Sequence, residues 1–287
     1  MADPVSRLLA TLDLEETGPN RFRGHDPGFG WQRIFGGQVV GQALAAANRT
    51  VPDERPCHSL HGYFLLPGDP SVPIDFEVDP IRDGKSFTTR RVVARQGGPA
   101  IFSMTASFHR AEAGLDHALP APPDVPHPDE LPGREEFLAL VAPRAPERVR
   151  RWLVRERPIE FRPTEIRHYV DDAPLPPHQY MWLRTTRPLP DDPAIHRCVL
   201  AYLSDMALLD TALFPHGLSV FTRDLQTASL DHAVWFHRPF RADEWLLYAC
   251  DTPSASGARG FTRGLLYDLE GRLVASTAQE GLLRLRD

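Results

Sequence analysis

Two stretches of this chain repeat one another at a near-constant offset, and that limits the fold more than any other feature. Phe87-Thr88 and Phe261-Thr262 lie 174 residues apart, and Pro67 and Pro239, each closing an apolar strand, lie 172 apart. The strand at 101–107 has its counterpart at 273–279 in the same order. Each copy reads as a helix, a strand and then further strands, which predicts a duplicated unit of roughly 90 to 120 residues. In the first copy, 37–48 predicts a helix with Val39, Val40, Ala43, Leu44 and Ala47 spread round most of its circumference. A helix that is apolar nearly all round is buried rather than amphipathic. The counterpart at 206–213 is similarly apolar, with Ser204-Asp205 before it as an N-cap pattern. Strand 86–95 alternates Phe87, Thr89, Arg91 and Val93, and 100–108 runs apolar. The expected fold class is α+β, with an antiparallel sheet wrapped round a central helix, twice.

The middle of the chain is of another kind. Sixteen of the 29 prolines fall between Pro120 and Pro193. Proline fixes φ and removes a backbone donor, so 120–132 reads as an extended connector. Short helices are expected at 134–140 and 147–154, and strands at 161–169 and 180–186, the first only at an edge because it contains Pro163. The expected organisation is an N-terminal unit over 1–115, a proline-rich linker with short elements over 116–192, and a C-terminal unit over 193–287.

The formal net charge of −6 gives no bulk attraction for nucleic acid, although a local arginine cluster would still hold a phosphate. Cys57, Cys198 and Cys250 are widely spaced and odd in number, which points to buried free thiols rather than disulfides or a zinc site. No run approaches eighteen apolar residues, the first fourteen residues carry Asp3, Arg7 and Asp13, and the closing Arg-Leu-Arg-Asp matches no peroxisomal tail. The expectation is a cytoplasmic protein without a membrane span.

Several long motifs then resemble one family. Arg33-Ile34-Phe35-Gly36-Gly37-Gln38-Val39-Val40-Gly41-Gln42-Ala43 and His58-Ser59-Leu60-His61-Gly62-Tyr63-Phe64-Leu65-Leu66-Pro67-Gly68 look like the acyl-CoA thioesterase II (TesB-type) family. So do Arg82-Asp83-Gly84-Lys85-Ser86-Phe87, Asp231-His232-Ala233-Val234-Trp235-Phe236-His237 and Ala275-Ser276-Thr277-Ala278-Gln279-Glu280-Gly281. The resemblance runs from about Arg33 to Arg284, is weakest in the proline-rich middle, and implies a double hotdog fold. It also implies hydrolysis of fatty acyl-CoA to free acid and CoA, with no metal and no cofactor, by a homodimer or homotetramer. The family's catalytic Asp falls on Asp205 and its Gln on Gln279. Its hydroxyl residue, usually Thr, falls on Ser229, which keeps the hydroxyl and loses the stiffer β-branched side chain. Thr227 shares that strand face.

Thioester hydrolysis needs an attacking water, a proton acceptor and donors for the developing oxyanion. Asp205 suits a general base or a direct nucleophile, and Ser229 and Gln279 each offer donor and acceptor atoms to the same water. Gly37 and Gln38 open the first helix, where free N–H groups carry partial positive charge, and are candidates to bind the thioester carbonyl. Taken singly, Asp205 reads as a cap, Gln279 as a strand-pairing residue and Ser229 as unremarkable; the family match joins them. His58, His61, His232 and His237 read as hydrogen-bonding residues. Gly217-Leu218-Ser219 lacks the second glycine of a nucleophile elbow, against a Ser-His-Asp hydrolase. Arg90, Arg91, Arg259 and Arg263 are candidates for the CoA phosphates, and Met206, Leu209, Trp235 and Phe236 for an acyl channel. Two rival readings are a non-catalytic acyl-CoA binder, suggested by Ser229, and an enoyl-CoA hydratase-like enzyme, for which no histidine stands beside Asp205.

Overall fold

Thirteen strands and five α-helices form among the residues that the computed structural model describes, 3–26, 28 and 33–286. In chain order they are α1 (Pro4–Leu12), β1 (Glu15–Gly18), β2 (Arg21–Gly24), α2 (Gly36–Asn48), β3 (Cys57–Phe64), β4 (Ile74–Asp83), β5 (Phe87–Arg95) and β6 (Ala100–His109). Then come α3 (Arg134–Val141), α4 (Glu147–Leu153), β7 (Ile159–Pro163), β8 (His178–Thr185) and α5 (Pro193–Leu203). The chain closes with β9 (Leu225–Ser229), β10 (Asp231–Phe236), β11 (Leu246–Ser256), β12 (Arg259–Tyr267) and β13 (Leu273–Leu285).

All thirteen strands belong to one antiparallel sheet, in the order β1-β2-β4-β5-β6-β3-β10-β13-β12-β11-β8-β7, with β9 added beside β13. The order reads the same from either edge once the copies are matched: β1 with β7, β2 with β8, β4 with β11, β5 with β12, β6 with β13 and β3 with β10. The repeat therefore meets itself at the β3–β10 seam. There Ala233 pairs with His61, two residues that are 172 positions apart, so a local two-fold axis crosses the sheet at that pair. This is the double hotdog architecture. Within the middle stretch, β7 and β8 are hydrogen-bonded onto β11 and extend the C-terminal half.

The central helix of the first copy behaves as its composition requires. Every residue of α2 from Gly37 to Ala47 is buried, and each fully buried Val or Leu contributes about 1.5–3 kcal/mol relative to exposure. It packs against α5, and Gly41 permits the approach: a Cβ there would lie 3.1 Å from the Cys198 carbonyl oxygen. One hydrophobic cluster runs through both halves. A separate small cluster of Phe137, Val141, Ala145, Val149, Leu153 and Tyr169 holds α3 and α4 together. The connector drapes over the outer face of the C-terminal half, where Trp182 Nε1 donates to the Pro126 carbonyl at 2.9 Å.

Two expected elements differ. No α-helix spans 206–213; α5 ends at Ser204, its C-cap, and after a short turn Leu209–His216 forms a 3₁₀-helix. The true start signal is Asp192, whose carboxylate accepts from Ala194 N at 2.8 Å, followed by Pro193 at the first helical position. The strand expected at 161–169 is β7, ending at Pro163, and a 3₁₀ turn follows at Arg167–Tyr169. The three cysteines are buried free thiols, and burial pushes the Cys57 thiol up to about 12. Among the described residues, no helix is long and apolar enough to cross a membrane.

Candidate active site

The site forms where the start of α2 meets the end of α5. Gly37 is required for that meeting, because a Cβ there would collide with the Tyr202 carbonyl oxygen, and one on Gly36 would lie 2.7 Å from Asp205 Oδ2. With two glycines the helix start closes on the turn after α5, and Gly37 N donates to Asp205 Oδ2 at 2.8 Å. Asp205 thus caps a helix, but it is α2, 168 residues earlier in the chain, rather than a helix of its own.

The other carboxylate oxygen faces two strands. Gln279, wholly buried on β13, donates from Nε2 to Asp205 Oδ1 at 2.6 Å and to Ser229 Oγ at 2.9 Å. Ser229, the last residue of β9, pairs with Gly281 and donates from Oγ to Asp205 Oδ1 at 3.5 Å. The structure therefore brings Asp205, Ser229 and Gln279 together. Thr227 also lines the cavity but is two residues further along β9, and the contacts to Asp205 and Gln279 belong to Ser229. Gln279 Oε1 is buried and has no hydrogen-bond partner among the described residues.

Desolvation pushes the Asp205 carboxyl up to about 6, while the hydrogen bonds from Gln279, Gly37 and Ser229 pull the other way. Asp205 keeps some accessible surface only because the cavity reaches it; protein surrounds it otherwise, so burial outweighs three donors. The cavity has a volume of about 620 Å³. Its lining draws Ile34, Phe64 and Phe102 from the N-terminal half, and Phe161, Tyr169 and Phe221 from the middle stretch and the C-terminal half. An apolar hollow with a few convergent polar groups at one place is the usual form of a small-molecule site.

The remaining expected residues are divided. Gly37 stands beside the carboxylate, whereas Gln38 lies off the cavity wall: its N–H bonds Phe35 O at 3.1 Å, and its buried side chain turns to the His25 carbonyl. Met206 and Leu209 line the cavity. Phe236 does not, being part of the core, and Trp235 is on the outer face, 42% exposed, as strand alternation dictates. The four arginines expected near CoA are engaged elsewhere: Arg90 with Thr50 and Asp83, Arg91 with Asp79, Arg259 with Glu280 and Arg263 with Asp251. Among the described residues, Arg33 is the cation that lines the cavity. The histidines form hydrogen bonds, His58 to Ser107, His61 to Asp231, His232 to Ser204 and His237 to Ser276. Sequence reasoning missed the aromatic wall of Phe161, Tyr169 and Phe221, which follows no periodic pattern.

Comparison with known proteins gives a consistent result. Residues 150–282 match the acyl-CoA thioesterase family, and residues 26–109 match its N-terminal domain. The chain is 38% identical to acyl-CoA thioesterase 2 of Haemophilus influenzae, with 100% of both chains covered. It is 39% identical to human acyl-coenzyme A thioesterase 8, covering 99% of this chain and 91% of that one. The crystal structure of the acyl-CoA thioesterase II TesB2 from Mycobacterium marinum superimposes with a TM-score of 0.80 at 44% identity, covering 98% of this chain and 99% of that chain. A hot dog protein from Alicyclobacillus acidocaldarius, 22% identical with a TM-score of 0.77, shares the fold.

Proposed function

The chain belongs to the acyl-CoA thioesterase family, and from that premise we propose that Asp205, Ser229 and Gln279 activate the water that cleaves a fatty acyl-CoA. It is a thioester hydrolase of the double hotdog fold, and the products are free acid and CoA. The observation that carries the water-activating assignment is the convergence of Gln279 Nε2 and Ser229 Oγ on Asp205 Oδ1 at the base of an apolar cavity.

In this reading Asp205 acts as general base. With its carboxyl raised to about 6 it is mostly ionised at neutral pH yet basic enough to accept a proton. A water in the cavity donates a hydrogen to Asp205 Oδ1, which Gln279 Nε2 and Ser229 Oγ hold in place, and so turns a lone pair into the cavity. It loses a proton to Asp205 as it attacks the thioester carbonyl carbon. The oxyanion that forms is met by the positive end of α2 at Gly37, whose N–H the carbonyl oxygen shares with Asp205 Oδ2. Collapse breaks the carbon–sulfur bond, and the CoA sulfur leaves with the proton that Asp205 had taken. Arg33 stands at the wall to meet the charged CoA moiety, and the aromatic wall receives the acyl chain. The proposal includes a cytoplasmic setting and a homodimer or homotetramer, the latter checked by light scattering.

The test is thiol release from medium- and long-chain acyl-CoA by wild type and by Asp205→Asn. Loss of release in the variant with acyl-CoA binding retained by calorimetry fits the reading. Undiminished release would refute it, and a wild-type protein that binds without releasing thiol would make this a binding protein.

A further inference from the structure

Behind Asp205, a set of buried polar side chains grips the residue that precedes it. Ser204 is fully buried, and its backbone carbonyl, part of the Ser204–Asp205 peptide, accepts from the Tyr248 hydroxyl at 2.9 Å. Its side-chain hydroxyl donates to the Ala201 carbonyl at 3.1 Å and lies 2.8 Å from His232 Nε2. The hydroxyl has one hydrogen, already committed to Ala201, so His232 donates from Nε2. His232 Nδ1 then carries a lone pair and has no partner among the described residues. Tyr248 is 2.8 Å from Thr277 Oγ1, which is itself 3.3 Å from the Gly264 carbonyl. Gly264 leaves the space that Tyr248 fills, because a Cβ there would collide with the tyrosine ring.

None of Ser204, His232, Tyr248 and Thr277 lines the cavity. They still reach the carboxylate by a short route. Thr277 and Gln279 are two apart on β13 and share its inner face. Gln279 holds the Asp205 side chain, while Thr277 holds Tyr248, which holds the peptide from which that side chain springs. We propose that Tyr248 and His232 are positioning residues, which fix the Ser204–Asp205 peptide so that the carboxylate faces Gln279, Ser229 and Gly37 at once. The inference rests on Asp205 as the base.

The pair suits a fixed clamp. Burial holds His232 down to about 4 and raises Tyr248 well above the usual tyrosine value, so each keeps its donor hydrogen across the pH range of an assay. The turn after α5 lies outside every helix and strand and is held by few backbone bonds, Ser204 N to the Leu200 carbonyl at 2.9 Å and Met206 N to the Leu203 carbonyl at 3.1 Å. Two side chains from β10 and β11 supply that constraint, and they do so from the rigid sheet rather than from a loop.

The experiment is steady-state hydrolysis by the full-length chain across pH, for Tyr248→Phe and for the pair Thr277→Val and Thr277→Ser. Tyr248→Phe lowers kcat about tenfold or more, the scale of a small misplacement of a reacting group, and leaves KM nearly unchanged. The acid limb of kcat moves to higher pH, because a carboxylate that drifts from its donors loses what lowers its pKa. Thr277→Val reproduces both changes and Thr277→Ser, which keeps the hydroxyl, restores them; this pair decides the matter if Tyr248→Phe does not fold. Wild-type kcat and acid limb in both Tyr248→Phe and Thr277→Val, with Asp205→Asn inactive, would overturn the positioning role alone. Hydrolysis retained by Asp205→Asn would instead overturn the base assignment beneath it.

Discussion

Replacing Asp205 with Asn separates what the carboxylate does for chemistry from what it costs the fold. In the folded chain burial pushes the Asp205 carboxyl from an ordinary 3.8 up to about 6. At 1.36 kcal/mol per unit, this corresponds to about 3 kcal/mol of folded-state destabilisation once the group is fully ionised. The sign follows from a folded-state pKa above the unfolded one. Asp205's contribution to stability is complete below the unfolded value, near pH 4, and is lost as pH rises through about 6. Asn cannot ionise, so it escapes that loss. It also fits: with the Gln279 amide turned over, Oε1, now unpartnered, accepts from the new amide nitrogen, and Gly37 N keeps an acceptor. The expected result is that the stability difference, Asp205→Asn minus wild type, widens by about 2 kcal/mol between pH 4.5 and 8. At pH 8, where Asp205 is ionised, the variant's kcat is at least about 100-fold below wild type, the lower end of what a general base contributes. Urea denaturation at the two pH values and a thiol-release assay measure these. A stability difference that is flat across pH would mean that Asp205 is not desolvated as described, and the reasoning from burial to basicity would fail.

Two further outcomes follow from the same geometry. Ser229→Ala removes the hydroxyl that accepts from Gln279 at 2.9 Å and should lower kcat by roughly 10- to 100-fold with KM little changed, whereas Ser229→Thr should retain activity; an active alanine variant would remove Ser229 from the mechanism. In wild type, log kcat should climb with unit slope at low pH and level off near the raised Asp205 value of about 6; a limb near an ordinary aspartate value would contradict a desolvated base.

How much could be read beforehand differs from element to element. The offset between the copies is printed in residues such as Phe87 and Phe261, and it reappears as mirrored strand order because equal sequences fold into equal units. The buried helix α2 is legible because apolar residues run round most of its circumference, with Gln38 and Gln42 the polar exceptions in its buried stretch. The second copy misled: Ser204-Asp205 looks like a cap, but the turn carries no signal that its acceptor serves a helix 168 residues away. The genuine start, Asp192-Pro193, lies at the end of a proline-rich run, where the expected linker meets the expected C-terminal unit, and the prolines hide it as a helix signal. Asp205, Ser229 and Gln279 were found by resemblance to a family and not by spacing, since three strand and turn positions have no local pattern in common. Trp235 shows the opposite case. Its neighbours Val234 and Phe236 point inward, so the alternation of β10 puts it outside, against its expected place in an acyl channel.

The seam between β3 and β10 has a consequence for how this chain tolerates damage. The halves are joined through backbone pairs across that seam, while 111–120 is exposed and outside every strand and helix. A protease cut there would break no strand pairing. Yet Gly37 and Asp205 would then lie on separate fragments, as would Phe64 and Phe161 across the cavity. A nicked protein should stay associated on gel filtration and keep hydrolysing; fragments that separate would show that the peptide link is needed to hold the seam. The covalent connection would be a tether that saves the two halves from searching for one another, and the hydrogen-bonded seam would make them one enzyme.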